Sequence, residues 1–479
     1  MDTNQPVRIQ RTAADWIPVL AETDLFSNLS RTELETFAAE MDVVSVPEGQ
    51  LIMRQDDPAN TLYVILEGQF EVSRQNDRGE VVHLNSLEQG TCVGELALVT
   101  GERRSASVRA RKTSIVASLG DDAIERVRRV APRAATRLSQ IIFARLQKVE
   151  LQNLLYFSDL FRDIGPSVLE DLESAMELRL CPSGACLMRD GEDCDGCYLI
   201  VSGRLRVIQR QAGGEPRIAA ELGRGQTVGE MGILTGSKRT ATVYAIRDTL
   251  VAKFSVESFN RLLHKHPEEL VRHFAGNVIK RLWTQTLGTS RKPNNVVNFA
   301  LIPTGTNGSL LDFSRRLGEC LSAHGPTLHL NSDLLDEFMR IKGCAQTTAD
   351  DPDNLNIARW LNHQETKYRY LLYQTDTGPS EWTLRCLRQA DRVVLVADAL
   401  SSPRKGLIEA TVLTDPRYRE LPQSLVILHR KNIRDYDRTE DWLREREVQV
   451  HYHVCANELN DMARLGRLLT GKGVGLVLS

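Results

Sequence analysis

No run of apolar residues in this chain approaches the roughly 20 needed to cross a bilayer. Met1 to Arg11 is polar and lacks the apolar core of a secretion signal. These absences lead us to expect a cytoplasmic protein, with peripheral contact at a membrane left open. Charge of one sign is missing too. Lys and Arg number 60 against 63 Asp and Glu, a net charge of −3, so no nucleic-acid partner is expected and any anion site must be local. The 9 cysteines are an odd number scattered through a long sequence, which argues against an extracellular disulfide framework and for reduced thiols. Low-complexity and collagen-like stretches are absent as well. What is there, 479 residues of which 42% are hydrophobic and 26% charged, suffices for ordinary cores in roughly three domains of about 150 residues.

The strongest positive signal is an internal repeat. Asp24-Leu25-Phe26 recurs as Asp159-Leu160-Phe161. Gly49, Arg54, Tyr63, Gly68, Gly79, Gly94, Glu95, Gly101 and Arg104 recur as Gly184, Arg189, Tyr198, Gly203, Gly214, Gly229, Glu230, Gly236 and Arg239, always 135 positions on. One register held over that span makes the first two domains copies of one fold. Within each copy, short alternating segments such as Leu62 to Leu66 and Phe70 to Val72 are separated by glycines and followed by a helical tail. The pattern predicts a small β-roll backed by helices. In the first tail, Ile124, Val127, Leu138, Ile142 and Leu146 keep helical spacing.

The chemistry concentrates in Gly90 to Val108 and its copy Gly225 to Val243. A glycine followed by a short helical turn lets backbone N–H groups approach an anion. An arginine ten residues on supplies a planar fork that matches phosphate oxygens. Both segments resemble the phosphate-binding cassette of cyclic-nucleotide-binding domains, over roughly the first 285 residues. The resemblance implies that Arg104 and Arg239 hold the cyclic phosphate, and that Glu95 and Glu230 accept the ribose 2′-hydroxyl proton. The expected ligand-binding set is Gly94, Glu95, Leu96, Ala97, Arg104, Ser105 and Ala106, with Gly229, Glu230, Met231, Gly232, Arg239, Thr240 and Ala241. Ser105 and Thr240 stand where a threonine donates to guanine in cyclic-GMP kinases, yet cyclic-AMP receptors also tolerate a hydroxyl there. The expected ligand is therefore cyclic AMP, or cyclic GMP. The alternative is a pair of lapsed domains whose arginine and glutamate pair with each other. Lapsed sites lose one of those residues first, and both copies keep both.

Three other clusters read as structural. Cys181, Cys186, Cys194 and Cys197 contain a C-x₂-C pair, but in the first copy they fall on Val46, Leu51, Ala59 and Leu62, so small buried hydrophobes are expected and no metal. Arg126, Arg128, Arg129, Arg133 and Arg137 read as a solvated helix face rather than a membrane-facing one. His451-Tyr-His453 alternates as a strand does.

From about Val296 the grammar changes to alternating strand and helix, with strands at Val296 to Ile302, Pro326 to Leu330, Tyr370 to Gln374, Arg392 to Ala397 and Ser424 to His429. That predicts a parallel α/β domain. The order loosely resembles P-loop ATPases of the MinD type, but Pro303-Thr-Gly-Thr-Asn-Gly-Ser309 has no lysine to reach phosphates, so no nucleotide hydrolysis is expected. Gly325 to Asp333, Ala358-Arg-Trp-Leu-Asn-His-Gln-Glu365, Leu372 to Asp376, Trp382 to Asp391 and Leu465 to Gly471 are similar to the connecting region of bacterial neuropathy target esterase-like proteins. Those are patatin-like lysophospholipases with cyclic-nucleotide-binding-like domains upstream. The resemblance implies that Val474 to Ser479 is the first strand of a patatin-like domain that this chain does not contain. No G-x-S-x-G and no Gly-rich oxyanion loop occur, so no catalytic residue is expected.

The expectation is therefore an α+β multidomain chain: two tandem cyclic-nucleotide-binding β-rolls, jelly-roll-like and with helical lids, then a parallel α/β Rossmann-like connector. The expected segments are an extension at 1–20, rolls at 21–155 and 156–290, and a connector at 291–479. The expected function is a non-enzymatic regulatory segment that binds a cyclic mononucleotide and controls a patatin-like phospholipase domain in cis, with Phe274 to Lys292 as the link. The alternative is a non-binding scaffold that positions a lipase at a membrane or partner.

Overall fold

In a computed structural model of the chain, the described residues are 7–8, 12–270, 272, 276, 297–304 and 310–471, less 59, 76–80, 101–102, 158–160, 162–163, 211–215, 349–350, 416–417, 419–420 and 431–437. Most of the 274–292 link, the loop 305–309 and the segment 474–479 thus lie outside the described residues. Contacts divide the chain into two compact units. The first comprises Met1–Leu146 with Phe338–Ile341 and Ala349–Trp360; the second comprises Gln147–Glu337, Lys342–Thr348 and Leu361–Ser479.

Each repeat folds as a roll of two antiparallel sheets. In the first, strands Asp42–Val46, Ser114–Gly120, Thr61–Glu67 and Cys92–Val93 form one sheet, and Leu51–Met53, Ser107–Ala110, Gln69–Gln75 and Val81–Glu88 form the other. The second roll repeats these eight strands one for one, and a short strand, Val7–Arg8, adds to the first sheet beside Asp42–Val46. Even the irregularities recur: register shifts at Ile65/Glu67 and Val72/Ser73 return at Ile200/Ser202 and Val207/Ile208, again 135 residues on. The paired glycines explain part of that fidelity. Gly68 and Gly203 take φ of 115° and 92°, and a Cβ at Gly203 would collide with Thr249, so only glycine makes this turn. Between the sheets lie Val46, Ile65, Phe70, Val108 and Val116 in the first roll, and Ile200, Leu205, Val243 and Val251 in the second.

Helices close one side of each roll. The long helix Pro132–Phe157 contributes Ala134, Leu138 and Ile142 to the core of the first unit, and Leu151, Leu154 and Leu155 to that of the second. Four of the five arginines of the first tail are paired, Arg126 with Glu40 at 2.6 Å, Arg128 and Arg129 with Glu125, and Arg137 with Glu33, and Arg133 is exposed. In the second roll Cys181 and Cys197 are buried. Desolvation pushes the Cys197 thiol up to about 12 and the Cys181 thiol up to about 11, so both stay protonated and pack as small hydrophobes.

The last part is a six-stranded, wholly parallel sheet. Its strands, numbered by appearance in the chain, run 2-3-1-4-5-6, with Val297–Thr304 as the central first strand between Tyr370–Gln374 and Arg392–Asp398. Phe299, Leu301, Leu372, Val394 and Val426 build its core with Phe313 and Leu317 of the helix Leu310–Ser322. At the far edge His453 shares a 2.9 Å hydrogen bond with His429, and burial lowers its pKa to about 4. Among the described residues no group of three or more His, Cys, Asp or Glu is suited to hold a metal ion. No described helix is long and apolar enough to cross a membrane.

Candidate functional site

Both cassettes begin on a glycine with left-handed φ, 82° at Gly94 and 85° at Gly229. The six-residue helices Glu95–Thr100 and Glu230–Thr235 follow at once. A Cβ on either glycine would collide with the arginine of its own copy. The glycine is thus demanded twice, by backbone conformation and by the close approach of a guanidinium.

In the first copy Arg104 is 6% exposed. It donates from Nη1 to the Gly94 carbonyl at 3.1 Å and from Nη2 to the Thr61 carbonyl. Its own backbone is clamped to the turn before Thr61, with Asp56 N–H donating to Arg104 O at 2.9 Å and Arg104 N–H to Asp57 O at 3.0 Å. Glu95 is engaged from the lid: Arg145, on the helix Pro132–Phe157, donates from Nη1 to Glu95 Oε1 at 3.1 Å. Burial raises the Glu95 pKa above the ordinary carboxylate value, and Arg145 and then Arg104 restrain the rise. Ser105 is exposed and Ala106 half-buried. Thr100, the last residue of the cassette helix, accepts a hydrogen bond from the buried Trp360 at 3.4 Å. The side chain of Ala97 lies outside the described residues.

The second copy keeps the frame and changes the partners. Arg239, 4% exposed, donates to the Gly229 carbonyl at 3.2 Å and pairs with Asp195. Asp195 also takes Lys253 and, at 3.0 Å, the Tyr198 hydroxyl. Burial pushes its carboxyl upward, but hydrogen bonds from Lys253, Tyr198 and Arg239 outweigh this and hold it below the usual range. Gly229, Glu230, Met231, Gly232, Arg239, Thr240 and Ala241 all line one cavity of about 230 Å³, closed by Val207, Val228, Val243 and Met188, with Gln209 at its wall. Apolar walls with one buried guanidinium and one carboxylate suit a small ligand with a flat apolar part, an anionic group and a hydroxyl.

Arg145, Asp195 and Lys253 stand outside the residue set expected from sequence. A signal exists for Asp195: its counterpart 135 residues earlier is Asn60, a change from neutral to charged between two copies of one turn. Tyr198 was visible as a repeat position, with Tyr63 as its copy, but nothing in the spacing tied it to Arg239.

Each repeat is thus a roll that carries a cassette, and in the second the cassette lines a cavity. Residues 43–129 and 178–266 match the cyclic nucleotide-binding domain family, and residues 295–471 match the neuropathy target esterase family P-loop like domain. The chain is 28% identical over 473 residues to patatin-like phospholipase domain-containing protein 6 of Mus musculus, covering 90% of this chain and 33% of that protein. Identity to patatin-like phospholipase domain-containing protein 7 of Rattus norvegicus is 26%, over 96% and 35%. Identity to neuropathy target esterase sws of Drosophila persimilis is 29%, over 86% and 30%. The regulatory domain of Toxoplasma gondii PKA, crystallised with cAMP, matches 58% of this chain and 97% of its own at 20% identity, with a TM-score of 0.25. The chain carries two cyclic nucleotide-binding domains followed by the P-loop like domain of the neuropathy target esterase family. It spans about a third of the length of the curated relatives it matches.

Proposed function

We propose that this chain is a cyclic mononucleotide sensor, with cyclic AMP the first candidate ligand, that regulates a patatin-like phospholipase domain in cis and has no catalytic centre of its own. The observation that carries the reading is the convergence of all seven second-copy cassette residues on one cavity. Glu230 and Arg239 are both in its lining, and a ribose hydroxyl and a cyclic phosphate need such an acceptor and such a planar donor.

The partners of these side chains say what binding has to rearrange. In the first copy a ribose hydroxyl competes with Arg145 for Glu95. That exchange loosens a contact between cassette and lid helix, as a ligand must if it is to favour one state over another. In the second copy the phosphate competes with, or adds to, Asp195 on Arg239, and a guanidinium has donors enough for two anions.

Thermal unfolding of the chain with cyclic AMP, cyclic GMP and 5′-AMP tests the reading. A ligand at 100 times its Kd stabilises by about 2.7 kcal/mol, and 5′-AMP, with a dianionic open phosphate, serves as the control. A melting temperature unmoved by either cyclic nucleotide sinks the sensor. It favours the second reading, a non-binding scaffold, for which the internal Arg239–Asp195 pair is the specific support.

A further inference from the structure

The second roll and the parallel sheet meet, within the second unit, through a buried polar cluster that the cassette chemistry does not use. Arg247 lies in the turn between strands Thr242–Ala245 and Thr249–Ser255. Its side chain is 2% exposed, paired with Glu365 at 3.0 Å and also with Asp391. Arg204, at the start of strand Arg204–Arg210, reaches Asp391 at 3.3 Å. Backbone groups join in from both sides. The Gly203 N–H donates to Glu365 Oε2 at 3.0 Å, and the Asn298 N–H donates to Asp391 Oδ2 at 2.9 Å. Asn298 Nδ2 donates to Glu365 Oε1 at 2.8 Å, while Gln389 Nε2 donates to Asp248 at 3.0 Å.

Two comparisons show that this cluster is more than generic packing. The first is with the other repeat. The scaffold of the turn is common to both, since Ser114 Oγ accepts from Gln69 N–H at 3.2 Å as Thr249 Oγ1 accepts from Arg204 N–H at 3.0 Å. The charges are not: Arg204, Arg247 and Asp248 replace Gln69, Lys112 and Thr113, all exposed. The second is with the cavity. Strands Arg204–Arg210 and Thr242–Ala245 pair along Leu205 to Ile208. At one end they supply Val207, Gln209 and Val243 to the cavity, and at the other they carry Arg204 and Arg247. Cavity and cluster are thus the two ends of one strand pair, about 13 Å apart at ~3.3 Å per residue.

We propose that Arg247, with Glu365 and Asp391, is a latch through which the second nucleotide cavity is coupled to the α/β domain. Filling the cavity fixes Val207, Gln209 and Val243 on their strands, and the latch end of the same strands transmits the change to Glu365 and Asp391. Arg247 is then a positioning residue that never touches ligand. The relay rests on the sensor reading above; the latch itself does not.

Amide hydrogen exchange on the full chain tests both parts, read at Gly203 and Asn298, whose N–H groups donate into the latch. Without ligand, Arg247→Met speeds exchange at both amides by about tenfold or more, and Lys112→Met, its first-repeat counterpart, leaves them unchanged. If Arg247→Met does not fold, Glu365→Gln, which keeps the shape and removes the charge, gives the same readout. Unaltered exchange in these variants overturns the latch. With saturating cyclic AMP, binding being verified by calorimetry on the same sample, exchange at both amides shifts at least about threefold. That shift survives Arg104→Ala and disappears in Arg239→Ala. Binding at the second site with no change at these amides overturns the relay. Absence of any binding heat overturns the sensor reading and the relay with it, while the ligand-free arm still decides the latch.

Discussion

Replacing Arg247 by methionine should be among the most damaging single changes in the second unit, and the structure says by how much. Methionine preserves most of the aliphatic volume, so the change is chiefly electrostatic. It leaves Glu365 and Asp391, 4% and 6% exposed, facing each other with one cation fewer. Breaking a buried ion pair by removing one partner costs about 3–5 kcal/mol. At about 2 °C per kcal/mol for a unit of this size, the melting temperature falls by about 6–10 °C. The penalty also depends on pH. Burial already raises the Glu365 pKa, and Arg247 restrains the rise, so loss of the arginine raises it further. Between the unfolded value of about 4.3 and that raised value, the folded chain holds a proton that the unfolded chain lacks. Stability then falls as pH rises through the window, and the destabilisation by Arg247→Met is larger at pH 8 than at pH 5. Differential scanning calorimetry at the two pH values, with the exposed Lys112→Met as control, reads both effects. A variant melting within about 1 °C of the parent, or one hurt more at pH 5, would show that Arg247 does not neutralise a buried carboxylate pair.

Other consequences are more local. Arg145→Met removes the competitor for Glu95, and since Arg145 restrains the raised Glu95 pKa, first-site affinity in the variant should begin to fall at a higher pH on acidification than in the parent; titrations between pH 5 and 8 check this. Cys197, with its thiol pushed up to about 12 by burial, should resist iodoacetamide at pH 8 in the folded chain and react on unfolding, and protection lost on adding a chelator would reveal a metal instead. Gly229→Ala places a Cβ against Arg239 at a left-handed φ and should weaken second-site binding at least about tenfold, as measured calorimetrically, while first-site binding is retained.

Much of the architecture was legible because duplication wrote it twice. One constant offset carried the roll, its glycine turns and both cassettes, and the structure extends the same register to the strand irregularities. The strands of the last domain followed from apolar runs such as Val393 to Ala397, buried on both faces as parallel strands are. What could not be read were contacts made by side chains distant in sequence. Arg247 against Lys112 is a bland substitution until Glu365 and Asp391, 118 and 144 residues on, are brought to it by the fold. Those two acids stand at the ends of the stretches Ala358 to Glu365 and Trp382 to Asp391 that carried the esterase-family resemblance. Asp195 is marked in the sequence only by its change from Asn60 in the first copy; its contact with Arg239, 44 residues on, is not. Arg145 escaped notice for a third reason. Helical periodicity marks the apolar face of the lid, here Leu138, Ile142 and Leu146, and is silent about which polar residue turns toward the cassette.

In the proposed sensor two guanidiniums, Arg104 and Arg239, each hold a cyclic phosphate. The most direct test is calorimetric titration of cyclic AMP into the full chain and into the Arg104→Ala/Arg239→Ala double variant. A hydrogen bond to a charged group is worth about 1.5–3 kcal/mol. Saturable binding is therefore expected in the parent, with a loss of about tenfold to a hundredfold at each site in the variant. Equal affinity in the two proteins would contradict it.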